Sequence, residues 1–185
     1  MPLEIEVKFR IADPADVRRR IIDAGAEPAG TVLEHNTYFD LPGGKLRCAD
    51  CGLRIRVNEG PDGRTRTVLT HKGPRRPGEL KIRSEAEVGV DSAEAAAAVL
   101  AALGYEPVLS FQKRRATFQL GGAEIVLDEL PELGSYLEIE AADEQTVQRA
   151  RARLGLADAE PVTRTYSALV ADHLAGRGDQ TALRF

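Results

Sequence analysis

Near its start the chain reads Glu4-Ile5-Glu6-Val7-Lys8-Phe9-Arg10, charged and apolar residues in strict alternation. A helix would scatter that pattern around its circumference, whereas a strand sorts it, because residues i, i+2 and i+4 share a face. Glu4, Glu6, Lys8 and Arg10 then point one way and Ile5, Val7 and Phe9 the other. One face belongs in a core. The other carries two carboxylates and two cations along about 20 Å of chain, at ~3.3 Å per residue. Taken alone, this is a half-buried antiparallel strand whose charged face meets water. The alternative, a charged face lining a ligand cavity, requires that other strands repeat the pattern.

They do. Arg54 and Arg56 alternate with Leu53, Ile55 and Val57; Lys81, Arg83, Glu85 and Glu87 share a face. Lys72, Lys113 with Arg115, Glu124 with Asp128, and Glu138 with Glu140 extend the series, the last two pairs opposite Ile125 and Leu127 and opposite Leu137 and Ile139. Turn signals such as Pro61-Asp62-Gly63 and Gly121-Gly122 divide the chain into predicted strands at residues 3–10, 33–40, 53–58, 64–72, 80–88, 109–120, 123–128 and 135–141. Helices are predicted from Asp13-Pro14 to about 24, over 91–103 with Asp91 or Ser92 as cap, over 144–154 and over 165–175. Three times a carboxylate-x-carboxylate strand leads into a capped helix, which suggests duplicated halves. The expected fold is α+β: an eight-stranded antiparallel barrel with a charged interior, and amphipathic helices packed on its apolar outside.

The 185 residues suit one domain, expected over 1–178, with 179–185 as a polar tail. A net charge of −4 gives no reason to expect nucleic acid or a membrane surface as partner. No apolar run approaches the ~20 residues of a membrane span, and the chain opens directly on a charged strand with no leader in view. Cys48 and Cys51 have no second pair to complete a zinc site and read as incidental thiols of a reducing cytoplasm. His35, His71 and His173 lack ligand spacing, and neither a Walker loop nor a dinucleotide fingerprint is present.

A closed barrel lined with such charges must be hydrated, paired and ready for a charged ligand, since an unpaired buried ion costs several kcal/mol. Crowded carboxylates repel unless a divalent cation sits between them, and oxygen ligands select Mg²⁺ or Mn²⁺. Clustered cations suit phosphates. Both together describe a metal–polyphosphate site.

The motifs in order carry a family resemblance. Glu4-x-Glu6-x-Lys8 resembles the ExExK signature of the CYTH family, the triphosphate tunnel metalloenzymes. The agreement continues through Tyr38-Phe39-Asp40, Leu53-Arg54-Ile55-Arg56, Thr70-His71-Lys72-Gly73-Pro74, Arg83-x-Glu85-x-Glu87, Lys113-Arg114-Arg115, Asp128-Glu129 and Leu133-Gly134-x-x-x-Glu138-x-Glu140. That last block and Arg164-Thr165-Tyr166-Ser167-x-Leu169 look most like the class IV adenylyl cyclase branch. The resemblance implies a tunnel that binds a divalent metal through Glu4, Glu6, Glu138 and Glu140, with Asp128 and Glu87 as helpers. It implies phosphate contacts from Lys8, Arg54, Arg56, Lys72, Arg83, Lys113 and Arg115, and catalytic roles for Lys8, Arg56 and Asp128. It favours a cyclase making cyclic AMP and pyrophosphate from ATP, as a possible homodimer. A triphosphatase acting on tripolyphosphate or thiamine triphosphate is the alternative. A non-catalytic polyphosphate or nucleotide sensor is the third reading, and it would not need four clustered carboxylates. His71 departs from the family pattern, and the arginine-rich loop Pro74–Gly78 has no assigned role.

Overall fold

The first strand, β1 (Leu3–Ile11), lies between two others and organises the sheet around itself. The computed structural model describes residues 3–178 and 181–185. In chain order the elements after β1 are α1 (Pro14–Asp23), β2 (Glu27–Asp40), α2 (Lys45–Cys48), β3 (Gly52–Glu59), β4 (Thr65–Lys72) and β5 (Lys81–Val90). Then come α3 (Ala93–Ala102), β6 (Glu106–Leu120), β7 (Ala123–Leu130), β8 (Gly134–Ala141), α4 (Glu144–Arg153), α5 (Tyr166–Ala175) and β9 (Ala182–Leu183). The strand order is β2-β3-β4-β5-β1-β8-β7-β6, and the long antiparallel pairing of β2 with β6 closes the ring. The result is the expected closed eight-stranded antiparallel barrel.

The caps explain where the helices begin. Asp13, Ser92, Asp143 and Thr165 each accept a backbone N–H of the first turn. Outward-facing Ile5, Val7, Phe9, Phe118, Ile125, Leu137 and Ile139 pack under Val17 and Ile21 of α1, Val147 and Ala150 of α4, and Leu154, which caps α4 at its C-terminus. Each fully buried aliphatic side chain there stabilises by about 1.5–3 kcal/mol. A second cluster sets Leu100 of α3 on Phe39, Leu53 and Ile55.

Helix α5 differs from the other three long helices. Its Tyr166, Val170 and Leu174 pack on Leu109, Phe111, Leu130, Tyr136 and Tyr38. Phe111 alternates with Lys113, and Tyr136 with Glu138, so these contacts lie on the barrel's inner face and α5 plugs one end of it. Two further differences concern extent. The helix α2 falls where a turn and loop are expected; buried Asp40 fixes it by accepting the backbone N–H groups of Leu46 and Arg47 at 2.8 and 3.0 Å. The tail is not wholly free: Ala182 and Leu183 form β9, parallel to Ser110 and Phe111 of β6, with Leu183 buried. The expected boundary at 178/179 falls beside residues 179–180, which lie outside the described residues.

Candidate active site

The inward-facing positions fall into three groups. The first is acidic. Glu6 sits opposite Glu140 in the β1–β8 register and Glu140 opposite Glu124 in β7–β8. Oxygens of Glu4, Glu6 and Glu140 lie within 4.8 Å of one another. Glu4 takes both its oxygens to Lys72 Nζ, at 2.7 and 2.8 Å, and Glu6 pairs with Lys81. Glu140 has no cation partner among the described residues. Burial, with Glu4 and Glu6 beside it, raises its carboxyl to about 8. Such a surplus carboxyl is what a divalent cation would neutralise, so the trio fits a metal by its oxygen chemistry and its mutual repulsion.

The second group is cationic. Arg54, Arg56 and Arg83 are inward on β3 and β5, and the Nε atom of each is buried without a partner. Arg54 makes no ion pair among the described residues. Arg56 reaches Glu34 at 3.6 Å and Glu87 at 3.4 Å, loose contacts for a guanidinium. Burial and the neighbouring Arg54 lower the Arg56 guanidinium from its ordinary value. Arg83 donates only to the backbone oxygen of Asp50, at 3.0 Å. Buried donors left open in this way suit an anion.

The third group is internally satisfied. Asp128, fully buried, accepts from Arg115 Nε and Nη2 at 2.8 and 2.6 Å, from Lys113 at 3.0 Å and from the Tyr166 hydroxyl at 2.9 Å. Glu138 pairs with Arg115 at 2.7 Å and Lys8 at 3.2 Å. Burial alone would raise the Glu138 carboxyl, but Lys8, Arg115 and Lys113 hold it well below the usual range. Lys8 Nζ lies 3.6 Å above the Tyr166 ring, and burial lowers its ammonium to about 8. Glu34 lies 3.3 Å from Lys113 and 3.5 Å from Arg115.

The structure therefore divides the expected ligand set. Glu4, Glu6 and Glu140 converge. Glu138 and Asp128 face cations instead, and Glu87 accepts from Thr70 Oγ1 at 3.0 Å and meets Arg56. Asp128 touches Arg115, Lys113 and Tyr166. The expected phosphate residues divide as well: Arg54, Arg56 and Arg83 are open, Lys72 bridges Glu4 and Glu85, and Lys8, Lys113 and Arg115 belong to the satisfied network. Glu34, Asn36 and Tyr166 are interior residues that the strand pattern did not single out. The unassigned loop acquires a contact, since Arg75 forms a bidentate pair with Asp50 and donates to the Thr163 oxygen at 3.2 Å. Cys48 and Cys51 are free thiols.

A family model, the CYTH domain, matches residues 2–166. The chain belongs to the CYTH family. Adenylate cyclase CyaB of Aeromonas hydrophila is 32% identical over 179 residues, 90% of this chain and 87% of that protein. Among solved structures, PH1819 of Pyrococcus horikoshii OT3 aligns with a TM-score of 0.80 at 26% identity, covering 91% of this chain and 99% of that one. HpAC1 from Hippeastrum, in which a dominant triphosphatase activity is described, aligns with a TM-score of 0.69 at 19% identity over 92% of this chain and 96% of that one. The fold thus extends along both chains in each of the two structural comparisons. No helix among the described residues is long and apolar enough to cross a membrane.

Proposed function

We propose that this CYTH protein is a metal-dependent enzyme acting on a triphosphate, and specifically an adenylyl cyclase that converts ATP to cyclic AMP and pyrophosphate. The observation that carries the reading is the unbalanced charge of one tunnel: three converging carboxylates, one without a cation among the described residues, and three guanidiniums whose buried Nε donors are left open. A metal–triphosphate complex answers both.

Glu4, Glu6 and Glu140 would hold Mg²⁺ or Mn²⁺, which supplies charge stabilisation at the reacting phosphorus and acidifies an oxygen nucleophile. Arg54, Arg56 and Arg83 would bind phosphate oxygens through the Nε–H groups left open. Lys72 would help them, placed as it is beside the acidic trio. Arg56, held only loosely by Glu34 and Glu87, is free to follow charge onto the leaving pyrophosphate. Lys8, fixed by Glu138 and the Tyr166 ring, would sit against the reacting phosphate. Asp128 would keep Arg115 and Lys113 aimed into the tunnel. The 32% identity to a protein named adenylate cyclase favours attack by the ribose hydroxyl over attack by water.

Hydrolysis of a terminal phosphate is the second reading. The triphosphatase activity described for HpAC1 means that the barrel alone does not choose between them. Incubation with ATP, tripolyphosphate and thiamine triphosphate in Mg²⁺ or Mn²⁺, with product identification, decides. Cyclic AMP supports the cyclase, and orthophosphate from tripolyphosphate supports the hydrolase. Full turnover in EDTA overturns the metal assignment.

A further inference from the structure

Opposite charges set directly across two paired strands normally meet, because their side chains lie within reach of each other. On the seam between β1 and β5 one such pair closes and its neighbour does not. Glu6 faces Lys81 in the register and pairs with it. Glu4 faces Arg83 in the same register, yet the two make no ion pair among the described residues. Glu4 is taken by Lys72 Nζ, at 2.7 and 2.8 Å. Arg83 instead donates from Nη2 to the backbone oxygen of Asp50, at 3.0 Å.

That acceptor is held in place from outside the tunnel. At the end of α2 the Asp50 N–H donates to the Arg47 oxygen at 3.1 Å and the Cys51 N–H to the Leu46 oxygen at 2.8 Å, the paired bonds of a helix that ends through a left-handed residue. The left-handed residue is Asp50, with a φ of 53°, where glycine is the usual choice. Its carboxylate is in use. It accepts the backbone N–H of Arg75 at 2.8 Å, the Nε–H at 2.9 Å and an Nη2–H at 2.8 Å. Arg75 is tied down in turn, donating from Nη1 to the Thr163 oxygen at 3.2 Å. The Asp50 and Arg75 side chains both meet solvent, and an ion pair so placed does little for stability. Its effect is geometric: it fixes the residue whose carbonyl holds Arg83. The arginine-rich loop Pro74–Gly78 thereby reaches the tunnel wall through Asp50.

We propose that Asp50, clamped by Arg75, is a positioning residue that holds Arg83 off Glu4 and so leaves the carboxylate to a divalent cation and the guanidinium to a phosphate. This rests on the triphosphate reading and gives a loop outside the tunnel a part in it. Released from Asp50, Arg83 would close on the carboxylate opposite it, as Lys81 does on Glu6. That contact would set a fixed positive charge where the cation binds and would occupy donors that a phosphate needs. One lost clamp would therefore weaken both ligands together.

The test breaks the clamp from either side. Asp50→Gly removes the carboxylate at a position whose backbone favours glycine, Arg75→Ala removes its partner, and a thermal melt checks that each variant folds. Arg83→Gln removes the guanidinium, and Asp50→Gly is also combined with it. Calorimetry measures the affinity of wild type and each variant for Mn²⁺ alone and for tripolyphosphate in Ca²⁺. Asp50→Gly and Arg75→Ala should each lose about fivefold or more in both affinities, the scale of one hydrogen bond. In the Arg83→Gln background, Asp50→Gly should change Mn²⁺ affinity by less than about twofold, because no guanidinium is left to close on Glu4. A purely structural Asp50 would cost the same in both backgrounds, and that result overturns the proposal. So do undiminished affinities in both single variants. Wild-type protein that binds Mn²⁺ but not tripolyphosphate removes the triphosphate reading and the proposal with it; that failure shows in wild type, whereas the other two show only in the variants.

Discussion

Glu140 links the stability of the fold to its chemistry, and replacing it with glutamine separates the two. In the folded chain its carboxyl is raised from 4.5 to about 8 by burial and by Glu4 and Glu6. Between those two values the folded state holds a proton that the unfolded state has released. Stability contributed by this group is therefore present at pH 5 and lost as pH rises through about 8. At about 1.4 kcal/mol per pH unit, the ionised form costs the metal-free fold on the order of 5 kcal/mol, reduced to about 2–4 as water and side-chain rotation relax the site. Lys8 does not confuse the measurement. Its ammonium is lowered to about 8, so its contribution changes only between there and 10.5, and in the opposite direction. Glu34 is held far below the usual carboxylate range and acts only in acid. Urea unfolding of wild type and Glu140→Gln is compared at pH 5 and pH 8, with EDTA and with Mg²⁺. Wild type in EDTA should lose about 2–4 kcal/mol over that interval, and the variant should lose little. At pH 8 the variant should be the more stable protein without metal, and only wild type should gain substantially from Mg²⁺. If the variant is no more stable in EDTA at pH 8, or both proteins gain equally from the ion, the repulsion and the metal site are both refuted.

Arg54→Met removes a buried guanidinium that makes no ion pair among the described residues but that, against the effect of burial, Tyr38, Glu34 and Glu85 hold above its ordinary value, so the stability of the ligand-free protein should change by less than about 1 kcal/mol. The same change should weaken tripolyphosphate binding at least about tenfold; a variant that is less stable and binds normally would contradict the open-donor reading. Tyr166→Phe deletes the hydroxyl that donates to Asp128 and should cost about 1–2 kcal/mol in urea unfolding, whereas no loss would mean that the plug helix is not held through that bond. Glu6→Gln should abolish metal-dependent turnover while the protein stays folded, and unchanged activity would take Glu6 out of the metal site.

The barrel was legible because its chemistry is inverted. Charged residues at period 2 on β1, β3, β5 and β8 each oppose an apolar face, and helices with their own apolar stripes must cover that face. Where one face is not apolar the pattern fails. On β2, Glu34 and Asn36 point inward, but the outward neighbours His35 and Thr37 are polar too, so alternation could not say which side lined the tunnel. The plug helix was invisible for a different reason. Val170 and Leu174 make α5 look like any helix covering the outside, and only the inward parity of Phe111 and Tyr136 shows that it packs on the inner wall. Motif order identified the charged residues but not their pairing. Glu138 and Glu140 sit two apart on one face of β8, yet one meets Lys8 and Arg115 and the other meets two carboxylates. Cross-strand register decides that difference, and register is a property of the closed ring.

That division of partners also explains how a chain can fold with so many buried charges. Around the plug helix the tunnel is neutralised from within: Asp128 and Glu138 are saturated by Arg115, Lys113 and Lys8, and the Tyr166 ring covers both ammonium groups. These contacts need nothing from solution, so they can hold the barrel closed in the absence of any ligand. Elsewhere the tunnel is left out of balance: among the described residues Glu140 has no cation partner and Arg54 makes no ion pair. A wholly satisfied interior would be more stable and would bind nothing. A wholly unsatisfied one would exceed the few kcal/mol per buried ion that a marginally stable domain tolerates. Confining the imbalance to a few residues keeps that cost small, and it makes simultaneous binding of a divalent cation and a polyphosphate the event that removes it.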